Sequence, residues 1–339
     1  MRRTTLPAVI AIAALLSGCS VAPQSALSAA GAEGDSTSAH GLPPLPPVRH
    51  DDTLPTLMRQ PDHGSDLRRE RVVADNDAYT TYAITYRSED LRISGLMHVP
   101  HGAVELPAVV LAHGYQDPRT YRSGNSMTEL QDRLARSGYV VLITDYRNHA
   151  ASDHDADNDA TLRTGYTVDV VNAVVALRRA GFDAVDPARI GLIGRSMGGG
   201  IAYNVLVTRP GLVKAAVLLS PMSSSAVDDV EILTRPAATR AQSRAAVEAS
   251  YGSPDPDAAA WQDLSPRRFF DRITEPVQIH HGTVDLTCPP AWTHASVAAL
   301  RAAGKDVDMH WYAGQSHRFG DPAWELAMQR TVAFLDTHV

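Results

Sequence analysis

The sequence predicts an α/β fold: a mostly parallel central sheet with helices on both faces. Three observations predict it. Short apolar runs recur along the chain, segments with helical spacing alternate with them, and the alternation continues to the C-terminus. Parallel strands that are covered on both faces are apolar throughout, whereas strands with one solvent-exposed face alternate apolar and polar residues. At 339 residues, 44% of them hydrophobic and 20% charged, the chain is large enough for such a core.

The predicted elements follow in a regular order after position 75. Two alternating segments, YTTYAITYRS and LRISGLMHVP, predict an antiparallel hairpin. The apolar runs are PAVVLAHG, YVVLITDYR, RIGLIGRS, VKAAVLLSP, EPVQIHHGT and DVDMHWYAG. Helical segments include SMTELQDRLARSG, TVDVVNAVVALRRAG and PAWELAMQRTVAFLDTH. The alternation stops at about 222–272, which predicts a small helical cap inserted over one end of the sheet.

The first residues predict a secretory signal of the lipoprotein type. Arg2 and Arg3 precede an apolar run, residues 6–16, that is too short to span a bilayer. The run ends in Leu-Ser-Gly-Cys, which resembles the lipobox of bacterial lipoproteins, whose chains are cut before a cysteine that carries the lipid. We therefore expect residues 1–18 to be a signal peptide and Cys19 to anchor the protein at the extracytoplasmic face of a bacterial membrane. An ordinary signal peptide with an incidental cysteine is the alternative.

The segment 19–75 predicts a disordered tether ahead of a folded body at 76–339. Ser, Ala, Gly and Pro dominate it, and GLPPLPPV predicts a stiff extended stretch. The chain has two cysteines, so lipidation of Cys19 leaves none for a disulfide with Cys288. The net charge of −7, with scattered basic residues, argues against nucleic acid as a partner.

One glycine-rich stretch points to chemistry. Gly194–Gly198 reads GRSMG and fits the pattern G-x-S-x-G between a predicted strand and a predicted helix. Small residues allow strand and helix to approach, and the hydroxyl of Ser196 then projects above the sheet at the helix N-terminus. There, backbone N–H groups favour developing negative charge. This arrangement predicts Ser196 to be a nucleophile.

Two further side chains complete a catalytic set. Asp285 follows the run ending in HHG, and His317 follows the next run. The order Ser, Asp, His matches that of α/β-hydrolases, and all three residues follow strands expected to end at one sheet edge. Ser196 is predicted to attack, His317 to take and return its proton, and Asp285 to orient the imidazole. The backbone N–H groups of Tyr115 and Met197 are predicted to form the oxyanion hole.

Other polar residues receive structural interpretations. Asp145 and Arg147 are expected to form an ion pair beneath the site, and the adjacent His280 and His281 to pack at a strand end. The acidic stretch 152–163 begins like a calcium loop but lacks its glycine and its final glutamate. No metal or cofactor is expected.

From about Tyr79 to the C-terminus, the chain resembles the catalytic domain of the prolyl oligopeptidase family. The resemblance rests on VVLAHG, DYRNHAASD, DPARIGLIGRSMGGG, GQSHRF and YGSPDPDAAAWQDLSPRRFFDRITEPVQIHHGTVDLTCPP. It implies an α/β-hydrolase fold and hydrolysis of ester, amide or peptide bonds in a small ester or short peptide. Larger family peptidases carry a β-propeller where this chain has a predicted tether, which favours a carboxylesterase over a peptidase. A non-catalytic surface-binding lipoprotein is the alternative from another class.

Overall fold

A nine-stranded sheet forms the centre of the structure, a computed structural model that describes residues 41–233 and 238–339. The strands are β1 (Ser65–Asp75), β2 (Tyr79–Ser88), β3 (Leu91–Pro100), β4 (Leu106–Ala112), β5 (Val140–Thr144), β6 (Val185–Arg195), β7 (Ala216–Leu219), β8 (Val277–Gly282) and β9 (Val307–Tyr312). Their order across the sheet is β1-β2-β3-β5-β4-β6-β7-β8-β9. Strands β1 to β3 run antiparallel to their neighbours, and the others pair in parallel. The predicted mostly parallel sheet with an N-terminal hairpin is confirmed.

Helices cover both faces of this sheet. They are α1 (Leu54–Leu57), α2 (Thr128–Arg136), α3 (Thr164–Arg179), α4 (Met197–Thr208), α5 (Ala226–Leu233), α6 (Ala238–Tyr251), α7 (Ala259–Asp263), α8 (Pro290–Ala302), α9 (Ala323–His338) and a 3₁₀ helix, Pro266–Arg272. Successive strand residues point to opposite faces. Leu192 accordingly packs in the core with residues of α3, α4 and α8, whereas Ile193 packs with residues of α2 and α9.

The cap has an apolar core of its own. Helices α5, α6 and α7 contribute Val230, Val247 and Trp261, which pack together with Leu264. Because these apolar side chains bury one another within the cap, its helices form a separate layer over one end of the sheet. These helices lie within the segment of about 222–272 for which the sequence predicts an insertion.

The predicted tether extends too far toward the C-terminus. Strand β1 pairs with β2 along the sheet edge, and Leu54 of α1 is fully buried in the main core. Arg209 fixes the intervening segment, with its Nε 2.5 Å from Asp62. The strand was missed because it is an edge strand exposed on both faces, so SDLRRERVVAD shows no apolar alternation. The folded body therefore includes residues that the sequence analysis placed in the tether.

The predicted signal peptide, Cys19 and the tether up to residue 40 lie outside the described residues. Within the part of the chain that is described, no helix has both the length and the apolar character needed to cross a membrane.

Candidate active site

Ser196 sits on a strained turn between β6 and α4. Its φ of 56° and ψ of −119° are rare for a residue with a side chain, and such a conformation costs about 1–3 kcal/mol. Close backbone approach explains the flanking glycines. A Cβ on Gly198 would lie 1.9 Å from the carbonyl oxygen of Ala112, and one on Gly194 would lie 2.2 Å from that of Gly198. The start of α4 is thereby pressed against the ends of β4 and β6.

Asp285 and His317 lie in the loops after β8 and β9. The two loops approach closely at Gly282, where a Cβ would lie 2.2 Å from the carbonyl oxygen of Gln315. The Nδ1 atom of His317 lies 2.8 Å from Oδ2 of Asp285. The Asp285 side chain is fully buried, whereas that of His317 is 20% exposed. The structure thus brings the predicted acid and base together, with the imidazole open to solvent.

The surroundings of Asp285 favour its charged form. Burial raises the pKa of this carboxyl, but hydrogen bonds from His281, His317 and the Cys288 N–H lower it, and the net pKa lies well below its ordinary value. Asp285 is therefore an anion at neutral pH. Because an anion needs a donor, Nδ1 of His317 carries the proton in the neutral ring and Nε2 is left to act as a base.

Ser196 and His317 line one cavity of about 290 Å³, together with Tyr115 and Met197. The hydroxyl oxygen of Ser196 lies 3.9 Å from the sulfur of the buried Cys288, a long hydrogen-bond contact. Hydrogen bonds between nucleophile and base are often long in unliganded enzymes and tighten when substrate binds. The predicted nucleophile, base and both oxyanion residues therefore line a single cavity.

The loop after β4 passes directly beside the nucleophile. A Cβ on Gly114 would lie 3.1 Å from the Cβ of Ser196, and the next N–H, that of Tyr115, donates to no acceptor among the described residues. Met197 is the first residue of α4, where N–H groups have no partner within the helix. Two backbone donors are thus available near Ser196 for a developing oxyanion.

Buried rings hold this loop in place. His113 donates from Nδ1 to the Gly114 carbonyl at 2.7 Å, and the hydroxyl of Tyr146 donates to the His113 carbonyl at 3.0 Å. Burial lowers the pKa of His113 to about 4, so its ring is neutral at physiological pH. Above them, the guanidinium of Arg163 lies 4.9 Å from the ring centre of the half-exposed Tyr115.

The predicted ion pair between Asp145 and Arg147 is wrong. Arg147 pairs with the buried Asp169 at 2.9 Å, whereas Asp145 accepts hydrogen bonds from three hydroxyl groups, those of Ser94, Ser123 and Tyr121. Tyr146 has a φ of 65°, which turns the chain between the two residues, so their side chains do not share a direction as they would in a strand.

Sequence reasoning also missed the contact that His281 makes. Its side chain is buried, as the packing interpretation requires, but its Nε2 lies 3.2 Å from Oδ2 of Asp285. Alternation along β8 identifies the face on which His281 lies. It does not predict the course of the following loop, which folds Asp285 back toward that ring.

Comparison with known proteins identifies the family. The model of the prolyl oligopeptidase family matches residues 125–339, more than half of the chain. The quorum-quenching protein AidA of Acinetobacter baumannii (strain MDR-ZJ06) is 28% identical over 137 residues, which cover 40% of this chain and 42% of AidA. The chain thus matches less than half the length of that curated relative.

Two solved structures show the same fold. Acetyl xylan esterase 1 from Thermoanaerobacterium sp. JW/SL YS485 superposes with a TM-score of 0.57 at 18% identity, covering 79% of this chain and 87% of the esterase. The acylaminoacyl peptidase of Pyrococcus horikoshii gives 0.60 at 20% identity, covering 77% of this chain and 41% of the peptidase. The protein is therefore a serine hydrolase of the α/β-hydrolase fold and belongs to the prolyl oligopeptidase family.

Proposed function

We propose that the protein is a carboxylesterase that hydrolyses esters of short acyl groups through an acyl-enzyme on Ser196. The hydroxyl oxygen attacks the ester carbonyl while Nε2 of His317 takes its proton, and the N–H groups of Tyr115 and Met197 receive the oxyanion. The alcohol leaves with the proton from His317. Water, activated by the same nitrogen, then releases the carboxylic acid and restores the serine.

The size and lining of the cavity carry this proposal. A volume of about 290 Å³ lies at the lower end of the range for small-molecule sites, roughly 300–1,000 Å³. One face of α4 lines it with Met197 and, one turn later, Ile201, while Met222 and Leu264 come from the cap side. A short aliphatic chain fits such a wall better than an extended peptide does.

A series of p-nitrophenyl esters of rising acyl length, compared with aminoacyl p-nitroanilides, tests the proposal. We expect kcat/KM to be highest for short acyl groups and to fall once the acyl chain is too long for the cavity. Ile201→Phe should move the optimum to shorter chains, whereas Ile201→Val should leave it nearly unchanged. Faster turnover of the anilides would overturn the proposal.

One observation favours a peptidase as the second candidate. Asp229 lines the cavity, and its carboxyl accepts a hydrogen bond from the N–H of Ser223 at 3.0 Å. Burial and repulsion by Asp228 raise the pKa of Asp229 well above its ordinary value. The ammonium group of a peptide N-terminus would offset the cost of burying the charged carboxylate by pairing with it.

Asp229→Asn separates the two candidates. If the protein is a peptidase, this change should lower turnover of aminoacyl anilides tenfold or more. For an esterase acting on uncharged acyl groups, turnover of the p-nitrophenyl esters should stay within about threefold of the wild type, because the neutral amide still accepts from Ser223.

We also propose that Cys19 is lipidated and holds the enzyme at the outer face of a bacterial membrane. The support is the sequence alone: a basic start, a short apolar run and Leu-Ser-Gly-Cys. Cys19→Ala should move the protein from the membrane fraction to the soluble fraction of the producing cells. Continued retention in the membrane fraction would contradict the anchor.

A further inference from the structure

The carboxylate of Asp285 is contacted by two imidazoles. Its Oδ2 lies 2.8 Å from Nδ1 of His317 and 3.2 Å from Nε2 of His281. Its Oδ1 accepts the backbone N–H groups of Thr287 and Cys288, at 2.7 Å and 2.9 Å. The side chains of Asp285 and His281 are fully buried, so these groups rather than water orient the carboxylate.

We propose that His281 is a positioning residue of the active site: its Nε2–H, divided between the Cys288 carbonyl at 3.0 Å and Oδ2 of Asp285 at 3.2 Å, steadies that carboxylate oxygen, which His317 also contacts. The inference rests on the proposed hydrolase mechanism, in which His317 is the base. His281 does not touch the substrate, and it acts only through Asp285.

The contacts of His281 define which nitrogen carries its proton. Besides Asp285, the Nε2 atom faces the carbonyl oxygen of Cys288 at 3.0 Å, and both groups only accept. Nε2 therefore carries the proton. Nδ1 lies 2.7 Å from Oγ1 of the buried Thr293 on α8, whose hydroxyl donates to it. The neutral ring is thus satisfied on both sides, and α8 sets its orientation.

The reaction explains why a second donor is useful. His317 becomes a cation when it takes the serine proton, and the carboxylate must stay aligned with it throughout. With His281 removed, Oδ2 would lose one of its two imidazole contacts, and the carboxylate could rotate about Oδ1, which the N–H groups of Thr287 and Cys288 hold. The His281 N–H also withdraws charge from Oδ2, which limits how strongly Asp285 stabilises the protonated form of His317.

The other charged groups near His317 and Asp285 are the same in every variant of His281. Arg195 lies with its Nη2 3.4 Å from the His317 carbonyl, and Arg318 is the next residue along the chain. Burial and the charge of Arg318 lower the pKa of Arg195, whereas the charges of Glu129 and Asp285 raise it. A difference in pH profile between His281 variants therefore reports the Asp285 contact.

The test compares His281→Leu with His281→Gln in ester hydrolysis across pH. Leucine removes the donor, whereas glutamine keeps an N–H for Asp285 and an acceptor for Thr293. For His281→Leu we expect kcat to fall tenfold or more, since misplacement by about 1 Å costs up to about a hundredfold, with KM within twofold. We also expect the apparent pKa of the acid limb of kcat/KM to rise, because Oδ2 then bears more charge. His281→Gln should restore most of both quantities.

A second pair of variants covers the case in which His281→Leu does not fold. Thr293→Val removes the hydroxyl that orients the ring at nearly constant volume, and Thr293→Ser keeps it. We expect the valine variant to lower kcat and move the acid limb, and the serine variant to do neither. Folded variants of His281 or Thr293 whose kcat and acid limb both match the wild type would overturn the proposal, since a purely structural role lowers only stability.

Proton NMR separates this inference from the proposed function. The ring N–H protons of His317 and His281 that face Asp285 should both be strongly deshielded and protected from exchange. His281→Leu should remove one signal and shift the other, whether or not any ester is turned over. A His317 signal that does not move in this variant would contradict the shared oxygen, whereas absence of hydrolysis by the wild type would contradict only the proposed function.

Discussion

Gly198→Ala should disable the site through backbone displacement, although a methyl group is the smallest possible addition. The new Cβ would lie 1.9 Å from the carbonyl oxygen and 2.4 Å from the carbonyl carbon of Ala112, and 2.8 Å from the carbonyl oxygen of His113. All three atoms belong to the main chain, so no side chain can move away to make room. Ordinary contact begins at 3.4 Å, so the first turn of α4 must move by about 1.5 Å from the end of β4.

That displacement separates the two halves of the site. Ser196 and Met197 move with α4, while Tyr115 stays with the loop after β4. A misplacement of about 1 Å costs up to roughly a hundredfold in rate, so we expect kcat/KM for a short ester to fall by at least that factor. Overpacking should also lower the free energy of unfolding by about 1–3 kcal/mol.

Gly200→Ala is the matched control on the same helix. Its Cβ would meet only the Cβ of Met222, at 3.3 Å, which requires a shift of about a tenth of an ångström. Alanine in place of a glycine within a helix stabilises by about 0.5–1 kcal/mol. Urea unfolding and ester turnover of both variants check the reasoning. Equal activity and equal stability of the two variants would refute it.

Two predictions concern buried titratable groups. Because burial lowers the pKa of His113 to about 4 from an ordinary value near 6.5, the unfolded chain binds a proton between pH 6.5 and 4 that the folded protein excludes. This residue alone should thus lower the free energy of unfolding by about 3 kcal/mol as pH falls through that window. Urea unfolding at pH 7 and pH 4 should show a larger loss for the wild type than for His113→Gln, and parallel losses would count against the assignment. Asp169→Asn should lower the free energy of unfolding by about 3–5 kcal/mol, because it leaves the guanidinium of Arg147 buried beside a neutral amide. Asp155, a partner of Arg147 that is more exposed than Asp169, should lower the free energy of unfolding less when it is changed to Asn. An equal loss in urea unfolding would contradict the difference in burial.

The strand pattern was sufficient to predict that the three candidate catalytic residues follow strands of one sheet. Ser196, Asp285 and His317 each follow a strand of a parallel sheet, and the carboxyl ends of such strands lie at one edge. Strand order therefore places these residues at one edge of the sheet without any knowledge of the loops. The glycines around Ser196 were also predicted from the sequence to allow close approach of strand and helix, which a Cβ would prevent.

The parts that escaped prediction depend on loop paths and on edges. Strand β1 lies at the sheet edge with both faces exposed to solvent, so its charged sequence has no apolar pattern that would distinguish it from a linker. Tyr146 adopts a left-handed conformation that sends Arg147 to Asp169, and no local pattern identifies such a turn at a tyrosine. The contact between His281 and Asp285 likewise depends on the fold of the short loop between them.

The central claim, that Ser196 is a nucleophile served by His317 and Asp285, is tested most directly by a fluorophosphonate probe. Mass spectrometry of the labelled wild type should find the adduct on the peptide that contains Ser196. The adduct should be absent from Ser196→Ala and should form much more slowly in His317→Ala. A folded wild-type protein that takes up no probe, or a Ser196→Ala variant that takes up as much as the wild type, would contradict the account.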